Sequence, residues 1–338
     1  MKHTIGHFDV PGHLVERPLD VITLGSLVLE QVILLEQLPT KGGQEVVPVS
    51  KMVYTAGGCA MNVATFIGRY GGMSAVLSAI GKGRYAEPVW DELSKSNVET
   101  HLLRVSAQSE GSLIVILSQT NGDWAVLDHM DPKLRIGRSD IPSTEQFEKA
   151  KLLHVDGFSF LTGGDEESVE LAIARAKEAG CLLSVDGSVP GASEKPDYLA
   201  RLFQRADIVF ANEYEALQVT GAECVDQAAD TFRAWQIPVG IIKRGAEGSV
   251  VVLAEGLEQI PSFPVEVVDT VAAGDAYIAT TLHLLLDGKD LIKAATWGSA
   301  AGALACLGLG SLSSRFTLAD VEALVALGKR RRSNNNSS

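Results

Sequence analysis

Val267-Val268-Asp269-Thr270-Val271-Ala272-Ala273-Gly274-Asp275-Ala276, running into the apolar stretch Tyr277–Leu286, is where the fold declares itself. A β-rich run ends, small residues make a turn, and a carboxylate stands where a helix starts. Small side chains let the N–H groups at a helix N-terminus approach an anion, and the helix dipole adds partial positive charge there. That geometry can stabilise a phosphoryl group in transfer. The plainer reading makes Asp275 only a cap of the helix. The neighbouring segments must decide.

Around this stretch, short β-rich runs alternate with helical patterns. Val21–Leu24, Ala75–Ala79, Leu152–Asp156, Leu182–Asp186, Ile208–Ala211, Gly240–Lys243 and Ser249–Leu253 read as strands. They are nearly continuous apolar runs, as strands covered on both faces are, so a mostly parallel sheet flanked by helices on both faces is predicted. Glu166–Ala179 is a helix with Val169, Ala172, Ile173 and Ala176 in one apolar stripe and Gly180 as its stop, and Val225–Trp235 is another. Two segments break the rhythm: Ser112–Leu117 and Trp124–Leu127 flank Asn121-Gly122, a hairpin signal, and Glu45–Val49 with Met52–Thr55 add a small antiparallel flap.

The 338 residues, 46% hydrophobic and 21% charged, describe a folded chain able to bury a large core without disulfides. A net charge of -13 argues against nucleic acid or an anionic membrane as a partner for the whole surface. Cys59, Cys181, Cys224 and Cys306 have no metal or redox spacing, and no long apolar stretch or signal peptide is evident, so the chain reads as cytoplasmic. The polar tail 329–338 is expected to be disordered.

Three further elements could carry chemistry. Gly57-Gly58-Cys59-Ala60-Met61-Asn62 leads from an extended run into a helix; alone it could be a turn followed by a satisfied amide. Asn212 and Glu215 follow a strand end, where a metal or its waters could be held, or where a solvated helix begins. Lys243-Arg244-Gly245-Ala246-Glu247-Gly248 closes another strand, and Lys243 could meet phosphate or solvent. Asp156 and Asp186 end strand-like runs and are pocket candidates. No Walker, zinc-protease, hydrolase-elbow or dinucleotide signature is present.

In this order, the elements resemble the ribokinase / phosphofructokinase-B family of sugar and nucleoside kinases, over roughly Asp20 to Leu327. The resemblance implies a ribokinase-like domain over 17–328 with a small β lid, from about 40–56 and 108–130, often used for dimerisation, so a homodimer is expected. Asp275 would be the base that accepts the proton of the attacking hydroxyl, and the amides of Ala272, Ala273 and Gly274 the anion hole. Glu30, Gly57, Gly58, Cys59 and Asn62 would join Asp275 in binding substrate. Asn212 and Glu215 would organise Mg²⁺ through water, with Asn212, Lys243, Gly245, Gly248, Gly274 and Ser299 along the ATP. Asp269 and Val271 would open a loop for a monovalent cation, K⁺, whose second part lies near Gly310 to Ser314.

The departures from that family concern the acceptor. Glu30, assigned to the first strand with Gly25–Leu29, stands where an Asp is usual, Val28 where ribose kinases have Asn, and Cys59 where they have Lys. A site missing such partners discriminates strongly against the substrate that needs them, so ribose is disfavoured. The expected activity is transfer of the γ-phosphoryl of ATP to a small sugar or sugar acid, with basic residues such as Arg104 or Lys133 able to fold in from the lid. A nucleoside kinase or a non-catalytic ligand-binding member are the alternatives.

Overall fold

The computed structural model describes residues 8–39, 46–119 and 124–335, with side chains to 328. In chain order its regular elements are β1 (Leu19–Leu24), β2 (Val28–Leu35), β3 (Val49–Gly57), α1 (Cys59–Arg69), β4 (Ser74–Gly81), α2 (Glu87–Lys95), β5 (Val98–Glu99), β6 (Leu103–Ser106), β7 (Leu113–Gln119) and β8 (Trp124–His129). There follow α3 (Thr144–Phe147), β9 (Ala150–Val155), α4 (Glu166–Glu178), β10 (Leu182–Asp186), α5 (Val189–Glu194), α6 (Pro196–Phe203), β11 (Ile208–Asn212), α7 (Glu213–Thr220) and α8 (Val225–Ala234). The chain closes with β12 (Val239–Lys243), β13 (Ser249–Leu253), β14 (Gly256–Ile260), α9 (Ala273–Leu286), α10 (Leu291–Ala305) and α11 (Leu318–Asn335).

Among the described residues, ten strands form one sheet in the order β14-β13-β12-β11-β10-β9-β1-β4-β5, with β6 also on β4. It is parallel except where β12, β13 and β14 run antiparallel. The apolar runs divide by strand alternation. Val21, Leu152, Leu182, Ile208 and Val239 face a core shared with α1, α9 and α10, while Ile22, Leu153, Leu183 and Val209 face a core shared with α4, α6 and α8. Following the first face to the carboxyl ends of the strands brings Gly25, Asp156, Asp186, Asn212 and Lys243 together beneath the starts of α1 and α9.

A second, four-stranded sheet runs β3-β2-β7-β8. The expected pairing of the two runs around Asn121-Gly122 is present as antiparallel β7–β8, the tip itself lying outside the described residues, as do 40–45 at the flap. Glu30 does not lie in the first strand. The chain leaves the large sheet after Leu24, through Gly25-Ser26, so Glu30 belongs to β2 of the small sheet, antiparallel to β3 and parallel to β7. Val32 and Ile116 of that sheet pack on Leu309 of the body. The tail also differs from expectation: α11 continues through Asn335, because an established helix gains one hydrogen bond for each residue it adds. Residues 336–338 lie outside the described residues.

Candidate active site

The start of α9 is held in an unusual conformation. Ala272, its N-cap, sits in the left-handed region at φ 61°, which turns the chain sharply from the Asp269 loop into the helix. Asp275 follows in the first turn, 6% exposed, and its Oδ2 accepts a 2.7 Å hydrogen bond from Asn62 Nδ2 on α1. The Cys59 thiol, at the first position of α1, also bonds to it. Gly274 has space for an anion beside it: a Cβ there would approach only the Lys243 ammonium, at 3.3 Å. The Ala273 amide is already shared with the Thr270 carbonyl at 3.3 Å.

The Gly57-Gly58 turn explains how α1 comes so close. Gly58 has φ 100°, and a side chain there would strike the Ser26 carbonyl; one on Gly57 would overlap the Glu30 carboxylate. Glu30 accepts from the Gly58 amide at 3.3 Å and from the Ser311 amide at 3.4 Å, tying β2 to the body. Asp156 accepts from the Ala60 amide at 3.1 Å and from Phe158 at 2.9 Å. Burial pushes Glu30 and Asp156 up to about 7. Burial, opposed by the Asn62 hydrogen bond and reinforced by Asp186, lifts Asp275 to about 6.

On the other side, Asn212 and Glu215 form a capping box at the start of α7. Asn212 Oδ1 accepts from the Glu215 amide and Glu215 Oε2 from the Asn212 amide, each at 2.8 Å. One Glu215 oxygen is left free of this box, and burial with Asp186 nearby pushes its carboxyl up to about 7. Lys243 is not in solvent: its ammonium pairs with Asp186 at 2.9 Å, 15% exposed. Burial alone would lower its pKa, but Asp186 and Glu215 outweigh it and keep the group charged. Gly245 and Gly248 bracket the single turn Gly245–Glu247 after β12. Ser299, on α10, donates to the Pro261 carbonyl at 2.7 Å, so its hydroxyl fixes that strand exit. Among the described residues no three His, Cys, Asp or Glu side chains form a metal cage. The hard oxygens of Glu215 and Asn212 suit a Mg²⁺ that keeps its waters and phosphate ligands.

Asp269, 3% exposed, ties three segments together. It accepts from Ser118 Oγ of β7 at 3.2 Å, from the Val271 amide at 3.2 Å and from the Gly310 amide at 2.9 Å. The Gly310 segment therefore meets the Asp269 loop. Arg104 and Lys133 do not reach the site: Arg104 is bound to Asp140 and to the Lys133 and Arg135 carbonyls, and Lys133 to the Gln108 carbonyl. Ser118 is an addition to the sequence reading, since an isolated serine in a strand gives no local signal of a partner far away in the chain.

The model of the "pfkB family carbohydrate kinase" family matches residues 19–316. Probable fructokinase-2 of Arabidopsis thaliana is 23% identical over 319 residues, covering 90% of this chain and 94% of its own. The fold is shared with a provisionally named Ribokinase II from E. coli in complex with ATP and Mg²⁺, with a TM-score of 0.79 and 20% identity over 91% of this chain and 99% of that one. It is also shared with Fructokinase from Vibrio cholerae O395 in a form bound to fructose, ADP and calcium, with a TM-score of 0.75 and 23% identity over 91% and 99% of the two chains. The family match spans most of the chain, and the protein is a kinase belonging to the pfkB family of carbohydrate kinases.

Proposed function

We propose that the chain transfers the γ-phosphoryl group of ATP to a hydroxyl of a neutral sugar, with Asp275 as the base. The observation that carries this is a buried carboxylate at the start of α9, oriented by Asn62, with the Lys243 ammonium beside Gly274. Such a carboxylate, raised to about 6, is ionised at neutral pH yet basic enough to take a proton from an alcohol as the new bond forms. The amides of Ala272 and Gly274, with that of Ala273 once released from the Thr270 carbonyl, would meet the phosphoryl oxygens at the positive end of the helix. Mg²⁺ bound with ATP supplies charge to the phosphates, and Glu215 and Asn212 would hold it through water. Lys243, Gly245 and Gly248 would follow the phosphates, with Ser299 toward the base. Asp269 and Val271, with Gly310, would be the place for K⁺.

The acceptor side favours a neutral sugar over a sugar acid. Glu30, Asp156 and Asp275 are acceptors, Cys59 stays a thiol because burial and these carboxylates raise its pKa, and Arg104 and Lys133 are held elsewhere. A ligand carboxylate would add negative charge beside three acidic groups, whereas hydroxyls would meet three groups able to accept hydrogen bonds. The fructokinase relatives agree with this choice. The small sheet is the lid in this reading, and the exposed Met52 and Tyr54 of β3 make its outer face the surface for a homodimer. Four free cysteines suit the cytoplasm.

Asp275→Asn tests the central role. Turnover of fructose is expected to fall about 100-fold or more, with ATP affinity and melting temperature retained. Unchanged turnover would sink the assignment.

A further inference from the structure

Beside the acceptor site lies a half-open cavity of about 330 Å³, roofed by β8 and floored by the segment after β9 and the end of α5. Its polar walls are Asp128, Arg135, Thr162, Glu194 and Lys195, and Phe158 is part of its floor. The cavity lining adjoins the acceptor residues at both levels. On the floor, the Phe158 amide bonds to Asp156, whose other oxygen bonds to Ala60, next to Cys59. On the roof, Glu30, Ile114 and Asp128 are directly opposed across β2, β7 and β8, so they share one face of the small sheet. Two strand spacings put Asp128 about 10 Å from Glu30.

That face changes character along the row. Val32 and Ile116 are 0% and 5% exposed where β2 and β7 press on the body, but Val126 and Trp124, on the same face of β8, are 41% and 51% exposed. The roof therefore overhangs a space that the protein does not fill. Its charges balance, two acids against two bases. Arg135 spends one donor on the Gly164 carbonyl, and Lys195 spends one on Glu166, so both keep N–H groups for a ligand. Acidic and basic side chains in equal number beside an aromatic ring suit hydroxyl groups on a ring, which both give and accept hydrogen bonds, better than an anion or a cation.

We propose that the preferred acceptor is longer than one hexose: a neutral disaccharide whose reacting unit lies at Asp275 and whose second ring occupies this cavity. This rests on the phosphotransfer reading above. The test measures ADP release with fructose and with the glucosyl-fructose disaccharides turanose, palatinose and leucrose, in the native protein and in Thr162→Trp, which fills the cavity from a half-buried position. At least one disaccharide is expected to exceed fructose in kcat/KM by about tenfold, and the tryptophan to cost that disaccharide about tenfold more than it costs fructose. Turnover of fructose with all three disaccharides poorer overturns the cavity proposal and leaves the phosphotransfer reading intact, as does an equal loss for both sugars in the variant. No turnover with any sugar overturns both.

Discussion

Asp275 gains its character from its surroundings. In water its carboxyl would titrate near 3.8, but burial beside Asp186 raises it to about 6 in the absence of ligands. If it is the base, the free enzyme is active only with the group ionised, so kcat/KM should fall with pH below about 6 rather than below about 4. A pH–rate profile with both ATP and sugar well below saturation checks this, and an acid limb near 4 would assign the proton to another group. Ala272 offers a separate test. Alanine in the left-handed region costs roughly 1 kcal/mol that glycine does not. Ala272→Gly is expected to raise stability by up to about that amount, offset in part by the freer unfolded chain, while the α9 start keeps its shape. Denaturant melts will show it, and a destabilised variant would mean that the methyl group packs usefully.

At the start of α7, the Asn212–Glu215 capping box does two jobs that can be separated. Loss of the Asn212 side chain leaves the Glu215 amide without its acceptor, so Asn212→Ala should cost about 1 kcal/mol. Asn212→Asp keeps an acceptor at that place and should retain most of the stability, while adding negative charge next to Glu215 and Asp186. Comparing urea melts with ATP binding for the two variants distinguishes the cap from a nucleotide role: weakened ATP binding in the stable Asp variant points to the latter. The element also illustrates how far local reading reaches. Asn-x-x-Glu is recognisable in the chain as a helix start, and so is the Asp275 turn. The partner that fixes Asp275 is not, because Asn62 lies 213 residues away.

The whole molecule buries Glu30, Asp156, Glu215 and Asp275 in one cleft, with values raised from 4.5 or 3.8 to about 7, 7, 7 and 6. Between those limits the folded state holds protons that the unfolded chain has released, so their contribution to stability falls as pH rises from about 4 to about 7. His154, lowered by burial to about 3 from 6.5, and His283, also lowered, act in the opposite direction up to about pH 6.5. The loss is therefore clearest above that point. The ligand-free protein should melt at a lower temperature at pH 8 than at pH 6.5, and Mg²⁺-ATP with a sugar acceptor should narrow the gap by bringing charge and hydrogen bonds to the cleft. Scanning calorimetry at the two pH values measures it; a higher melting temperature at pH 8 without ligands would contradict the charge assignment.

The order of strands and helices, the parallel character of the sheet and the places where helices begin were set by near neighbours in the chain. Runs such as Leu182–Asp186 and stripes such as Val169, Ala172, Ile173 and Ala176 bury themselves in only one way. Glu30 escaped that logic, since an apolar run with a carboxylate inside it fits either a first strand or a second sheet, and only the departure of the chain after Leu24 distinguishes them. The pairing of Lys243 with Asp186, the bond from Ser118 to Asp269 and the raised pKa of Asp275 arise only when distant segments exclude water together, for desolvation and long-range contact belong to the packed cleft and not to any stretch of sequence.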